Sequence, residues 1–431
     1  MKAQLLTGEK VPRAFLVGVR DDKISKDEAN SLSGELAGLV DTLGLEILSR
    51  ETVHVRENHA KYGMGTGKAE ELSQKAASLE ADCLIFDREL SPSQQRNWEE
   101  LSGLSAIDRQ ELIIQIFASR ARTREAELQV SLAELNYALP RLQHKYIDLA
   151  RQRGGRYGTR GSGETRLEAD RRLVEQRIHR LEEELEEVKR HRQVQRRQRE
   201  RQGVPVCALV GYTNAGKSSL FNALTGAGVV AEDKLFATLD TTSRRLELPV
   251  DGSGGAKGRM QILLVDTVGF IRRLPHSLVN AFRATLEELN HADLLLNVLD
   301  ASDRNISVQY ETTLAVLREL DAGNIPMVTI LNKIDRLEIP SLEALLRLYP
   351  ESVPVSATEG RGLPELCGRI ERVLARDSIR FRFPPEKPDL AALLHRSGQV
   401  ISEEYGENFI EMEARVDERT AGMLKEYTVS D

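Results

Sequence analysis

The sequence predicts an α/β multidomain protein in four parts: an N-terminal α/β domain (1–120), an antiparallel helical hairpin (121–201), a doubly wound α/β domain (202–376) and a small α+β C-terminal domain (377–431). Three observations predict it. Short apolar runs alternate with helical patterns in two separate stretches, the mark of parallel sheets covered by helices. Between them, a seven-residue apolar repeat is interrupted by a glycine-rich segment. After Arg376, the proline-punctuated FRFPPEKP leads into a short helix, two strands and a final helix.

In the first stretch AFLVGV and DCLIF have strand length, and SLSGELAGLVDTLGL carries a 3.6-residue apolar period. GTGKAEELSQKAASL opens on the glycine turn Gly63–Gly67 and continues as a helix. Next, Leu128, Leu132, Leu135, Leu139, Leu142, Tyr146 and Leu149 alternate spacings of four and three, the seam of a coiled coil. Pro140 lies inside it and should kink the helix. A second seam runs through Val174, Ile178, Leu181, Leu185 and Val188. Five glycines among residues 153–163 separate the two seams, which predicts a hairpin with a glycine- and arginine-rich tip. Residues 189–201 are basic without a seam and should form a frayed or exposed end leading into the next domain. Beyond them PVCALVG, QILLVD, LLLNVLD and PMVTILN are the strands of the doubly wound domain, and DGSGGAKG is a hairpin loop.

A chain of 431 residues is about three domains' worth at ~150 residues each, so no disulfide or metal staple is needed. Three separated cysteines without a C-x-x-C exclude a disulfide scaffold and a zinc framework, and fit a reducing compartment. The eight histidines show no ligand spacing. No apolar run is long enough to span a membrane, and charges interrupt the first twenty residues, so a cytoplasmic protein without a signal peptide is expected. The net charge of −7 excludes a uniformly basic nucleic-acid coat. It is unevenly placed: residues 141–201 hold 18 Lys and Arg against 11 Asp and Glu. Such a concentration suits a local contact with an anionic polymer, although a solvated helix face has the same composition.

Gly211-Tyr212-Thr213-Asn214-Ala215-Gly216-Lys217-Ser218 fits G-x-x-x-x-G-K-[ST] between a strand and a helix. Glycines let the backbone wrap phosphates, N–H groups at the helix start face the anion, Lys217 reaches the β and γ phosphates, and Ser218 ligates Mg²⁺. Asp266-Thr267-Val268-Gly269 ends a strand, where Asp266 holds Mg²⁺ through water and Gly269 offers its N–H to a γ phosphate. Asn332-Lys333-Ile334-Asp335 follows another strand. The Asp335 carboxylate can accept from both N1–H and the 2-amino group of guanine, a donor pair that adenine lacks. Ser356-Ala357, with Thr358 beside it, places a backbone N–H for the guanine O6. In this order the elements describe a guanine-nucleotide site for GTP and GDP. Its second Mg²⁺-binding threonine falls in residues 234–245, where Thr238, Thr241 and Thr242 all qualify.

Taken together, GYTNAGKSS, FATLD, DTVGFIRRLP, RGGRYGTRGSGETRLEADRR, YGMGTGKAEEL and IDRQELIIQIFASRARTREAELQVSLAELNYALPRL resemble the HflX family of ribosome-associated GTPases over about residues 10–375. The resemblance implies Thr238, within Phe236-Ala237-Thr238-Leu239-Asp240, as the switch threonine and metal ligand. Lys217, Thr238, Asp266 and Gly269 would then be the catalytic set. It also puts Phe270 where many small GTPases carry a glutamine. A phenyl ring cannot orient water by hydrogen bonding, so unaided turnover should be slow. The sequence departs from the family at Ser162, Arg166 and Thr241, where Pro, Gln and Pro are usual. In related GTPases an Asn at position 214 helps hold a monovalent cation, here K⁺; the bland alternative is that it only stabilises the loop.

The resemblance further implies that the hairpin tip enters the large ribosomal subunit. Arg153, Arg156 and Arg160 would meet rRNA phosphates, and Tyr157 would stack on a base. The expected protein is a monomeric, Mg²⁺-dependent GTPase that splits stalled ribosomes under stress. A large-subunit assembly GTPase and a nucleotide-gated regulator with little turnover use the same residues.

Overall fold

The computed structural model describes residues 11–152, 162–200, 204–228, 235–236, 242–251, 257–273, 289–374, 379–406, 408–416 and 418–429. The tip residues Arg153, Arg156, Tyr157 and Arg160, and the segment from Ala237 to Thr241, lie outside them. Contacts divide the chain into two units. One holds Met1–Val188, Glu232–Asp240 and Arg273–Arg283; the other holds Lys189–Ala231, Thr241–Arg272 and Ala284–Asp431.

The first unit begins with a four-stranded parallel sheet of order β2-β1-β3-β4, from β1 (Arg13–Arg20), β2 (Glu46–His54), β3 (Cys83–Phe86) and β4 (Ser105–Ile107). Helices α1 (Lys26–Leu43), α2 (Thr66–Ser78), α3 (Pro92–Ser102) and α4 (Arg109–Arg120) accompany it. Side-chain oxygens of Ser25, Ser91 and Asp108 cap α1, α3 and α4, supplying acceptors to N–H groups that the helices cannot satisfy internally. Phe15, Phe86, Leu72 and Trp98 centre the core.

The hairpin helices are α5 (Arg124–Gln152) and α6 (Ser162–Glu200). Leu128 packs with Leu181 and Leu185, joined by Leu132, Leu135 and Val188, so the two seams do meet. Helix α5 continues through Pro140. One expectation changes. The basic stretch after Val188 is helical as far as Glu200 rather than frayed, because Arg, Lys, Gln and Glu are good helix formers that need no buried seam. The middle of α5 is locked to the sheet domain: Arg141 donates to Asp108 Oδ2 (3.1 Å), Leu90 O (2.9 Å) and Gln95 Oε1 (2.7 Å), and Tyr137 donates to Glu111 Oε2 (3.1 Å).

The second unit contains a six-stranded sheet of order β10-β9-β8-β5-β7-β6. Its strands are β5 (Val206–Gly211), β6 (Thr242–Asp251), β7 (Lys257–Asp266), β8 (Leu294–Asp300), β9 (Met327–Asn332) and β10 (Val353–Pro354). All pair in parallel except β6, which forms an antiparallel hairpin with β7. Helices α7 (Lys217–Thr225), α8 (Ile306–Glu319), α9 (Ile339–Leu348) and α10 (Leu363–Leu374) are among the described residues of this domain. A separate antiparallel sheet, β11-β13-β12, follows: β11 (Ile379–Phe383), β12 (Gly398–Tyr405) and β13 (Ile410–Val416), with α11 (Pro388–Ser397) and α12 (Glu418–Met423). It has its own core around Phe381, Phe383, Leu394 and Met412.

Candidate nucleotide-binding site

The site gathers at the carboxyl ends of β5, β7, β8 and β9, where open α/β sheets bind ligands. The loop from Gly211 to Gly216 leaves β5 and becomes the start of α7. Asn214 sits in the left-handed region (φ 61°), which asparagine tolerates better than most residues. Gly216 (φ 92°) has no substitute: a Cβ there would lie 2.2 Å from Asn332 Nδ2. Lys217 is buried, with Nζ donating to Gly211 O (3.1 Å) and Tyr212 O (2.7 Å). Burial lowers its pKa to about 8, with Asp266 pulling the other way.

Asp266, fully buried at the end of β7, accepts from Ser218 Oγ at 2.8 Å. These hard oxygen donors fit Mg²⁺, which takes few protein ligands and completes its shell with water and phosphate oxygens. The chain then turns back onto the P-loop. Phe270 N donates to Gly211 O (3.0 Å), Thr213 N to Phe270 O (2.7 Å), and Arg272 N to the Tyr212 hydroxyl (2.8 Å). Gly269 is thereby pressed so close that a Cβ would lie 2.7 Å from Lys217 Nζ and 2.8 Å from Thr213 Cα. The Phe270 ring is buried.

On the base side, buried Asn332 bridges two loops: Nδ2 donates to Ala215 O (2.9 Å), and Oδ1 accepts from Ala357 N–H (3.1 Å). Lys333, at φ 64°, donates to Asn214 O (2.8 Å) and pairs with Asp300 (2.7 Å). Ser356 Oγ donates to Asp335 Oδ1 at 2.6 Å, and this bond holds the Asp335 carboxyl below its usual range. The P-loop, Asp266–Gly269, Asn332–Asp335 and Ser356–Thr358 thus form one cluster.

Other sequence expectations fall elsewhere. Phe236 belongs to the first unit, where its buried ring meets Phe117 edge-on (centroids 4.7 Å) at φ 55°, so the ring is engaged in packing. Thr238, Ala237, Leu239 and Asp240 lie outside the described residues. Sequence reasoning missed the bridging role of Asn332 and the hydroxyl of Tyr212; a buried-strand context for the first and a P-loop tyrosine for the second were the only signals. Among the described residues no cluster of three or more His, Cys, Asp or Glu could hold a metal, and no helix is long and apolar enough to cross a membrane.

Three family descriptions match in succession: GTP-binding GTPase N-terminal over residues 30–118, GTP-binding GTPase Middle Region over 120–199, and 50S ribosome-binding GTPase over 206–333. GTPase HflX of Akkermansia muciniphila is 47% identical over 420 residues, 94% of each chain. The chain belongs to the HflX family of GTPases. GTPase HflX of Escherichia coli K12 is 43% identical over 377 residues, 86% of each chain. A solved GTP-binding protein from Sulfolobus solfataricus in complex with GDP is 26% identical, with a TM-score of 0.44, over 84% of this chain and 98% of its own. As an HflX-family member the chain is a GTP-hydrolysing enzyme with a ribosome-binding GTPase domain, and GTPases of this P-loop class generally use Mg²⁺.

Proposed function

We propose that this HflX GTPase docks on the large ribosomal subunit through its hairpin tip, splits stalled or idle ribosomes under stress, and leaves on hydrolysing GTP. The observation that carries the reading is the pairing, in one chain, of a clustered guanine-nucleotide site with a long two-helix stalk that ends in Arg153, Arg156, Tyr157 and Arg160. Arginines contact rRNA phosphates, and a tyrosine stacks on an unpaired base. Arg141, held by Asp108, Leu90 and Gln95, makes the stalk a lever rather than a tether.

In the G domain, Ser218 and Thr238 would ligate Mg²⁺ and Asp266 would hold it through water; the ion would supply charge neutralisation to the phosphate oxygens. Lys217 binds the same oxygens. Gly269, fixed against the P-loop, directs its N–H at the γ phosphate. Phe270 offers no side-chain hydrogen bond to water, which leaves turnover slow until the ribosome orders the site. Asn214, exposed on the P-loop, would help hold K⁺, which would offset phosphate charge; equal turnover in K⁺ and Na⁺ buffers would reject that role. A cytoplasmic location follows from the ribosomal target.

The test is co-sedimentation with large subunits over a salt series. Replacing Arg153, Arg156 and Arg160 with Ala should weaken binding and flatten its salt dependence by about three counterions' worth of slope. Unchanged binding and slope would refute the tip assignment.

A further inference from the structure

The hydroxyl of Ser356 has one proton and three neighbours. It lies 2.6 Å from Asp335 Oδ1, 3.1 Å from Thr358 Oγ1 and 3.2 Å from Glu359 N. An ionised carboxylate only accepts, and an amide N–H only donates. The Ser356 proton is therefore committed to Asp335, and the Glu359 N–H donates to Ser356 Oγ. The one remaining assignment is the contact with Thr358. Since Ser356 has no second proton, Thr358 must donate and Ser356 must accept. Ser356 Oγ is then saturated, with one bond given and two received, and its O–H can point only at Asp335. Ser356 is fully buried and its backbone N–H is tied to Arg361 O (3.0 Å), so the hydroxyl starts from a fixed point. Thr358 itself is exposed at the loop surface.

We propose that Thr358 is a positioning residue for guanine selectivity: by donating to Ser356 it fixes the hydroxyl that aims the Asp335 carboxylate. This deepens the guanine-site reading and rests on it. Two-point recognition, of N1–H and the 2-amino group together, depends on carboxylate angle more than a single N1–H contact does. Without the Thr358 donor, Ser356 Oγ keeps only the Glu359 N–H as a donor, so the direction of its O–H, and with it the Asp335 carboxylate, is held less tightly. The 2-amino contact suffers first.

The experiment compares GDP with IDP, whose hypoxanthine base lacks the 2-amino group, by equilibrium binding to the full chain. Thr358→Val, nearly isosteric but without the hydroxyl, should lower the GDP-to-IDP affinity ratio about threefold to tenfold, the worth of one neutral hydrogen bond. Thr358→Ser should restore the ratio. A loop that is merely loosened would weaken both nucleotides equally, so an unchanged ratio in Thr358→Val overturns the proposal whether or not the affinities fall. Asp335→Ala distinguishes the underlying reading: it should abolish most of the ratio. If it does not, the assignment of Asp335 to the base fails, independently of Thr358.

Discussion

Raising the pH from 7 to 9 should weaken GDP binding about tenfold through Lys217. Burial lowers its pKa from 10.5 to about 8 in the free protein, so about nine-tenths of the chains carry the charge at pH 7 and about one-tenth at pH 9. Bound phosphates stabilise the ammonium and raise its pKa again, so the protein must take up a proton to bind in the upper part of this range. The sign is fixed: affinity is full below pH 7, falls through pH 8, and loses about tenfold by pH 9, or ~1.4 kcal/mol. The assay is equilibrium binding of GDP at half-unit steps. Lys217→Arg, whose guanidinium does not titrate, serves as control for ionisation of the base and should give a flatter profile. Equal affinity at pH 7 and 9 in the unsubstituted protein would refute the reasoning, because a buried lysine of ordinary pKa stays charged throughout.

Gly269→Ala should weaken GDP binding and cut GTP hydrolysis about a hundredfold, as for loss of one charge-stabilising donor, since its Cβ would meet Lys217 Nζ and Thr213 Cα below 3 Å and shift the P-loop; equilibrium GDP binding and single-turnover phosphate release check it. Asn332→Ala removes two buried hydrogen bonds and strands Ala215 O and Ala357 N, so urea unfolding should show a loss of about 2–4 kcal/mol. Asn297, buried in β8, makes no side-chain hydrogen bond, so Asn297→Leu should stabilise the chain by about 1–3 kcal/mol; a lower melting temperature would show that the amide has a partner after all. Arg141→Met leaves the fully buried Asp108 without its cation and should cost about 3 kcal/mol by the same denaturation assay.

The nucleotide site was legible because each of its parts is a short contiguous run at a strand end, where residue type and spacing already imply the phosphate or base contact. The hairpin was legible for a similar reason: a seven-residue repeat can be read locally, and Leu128 does meet Leu181 and Leu185. Strand β2 was harder because it is mostly half-exposed and shows no clean alternation, and β4 has only three residues. The helical run to Glu200 was missed because residues 189–200 are charged or polar almost throughout and carry no apolar period to read. Side-chain contacts between distant positions were beyond reach. Nothing local to Phe236 announces Phe117 as its partner, and nothing in Thr358 alone tells which way its proton points. Asn332 was identified as part of a motif, but its double bridge needs two loops remote in sequence to come together.

Sedimentation of 70S ribosomes with the full chain most directly tests ribosome splitting. With GTP or a non-hydrolysable analogue, the 70S peak should convert into separate subunits, the protein should travel with the large one, and only GTP should let it leave. A 70S peak unchanged by the protein and nucleotide, with binding confined to immature large subunits, would contradict splitting and favour assembly.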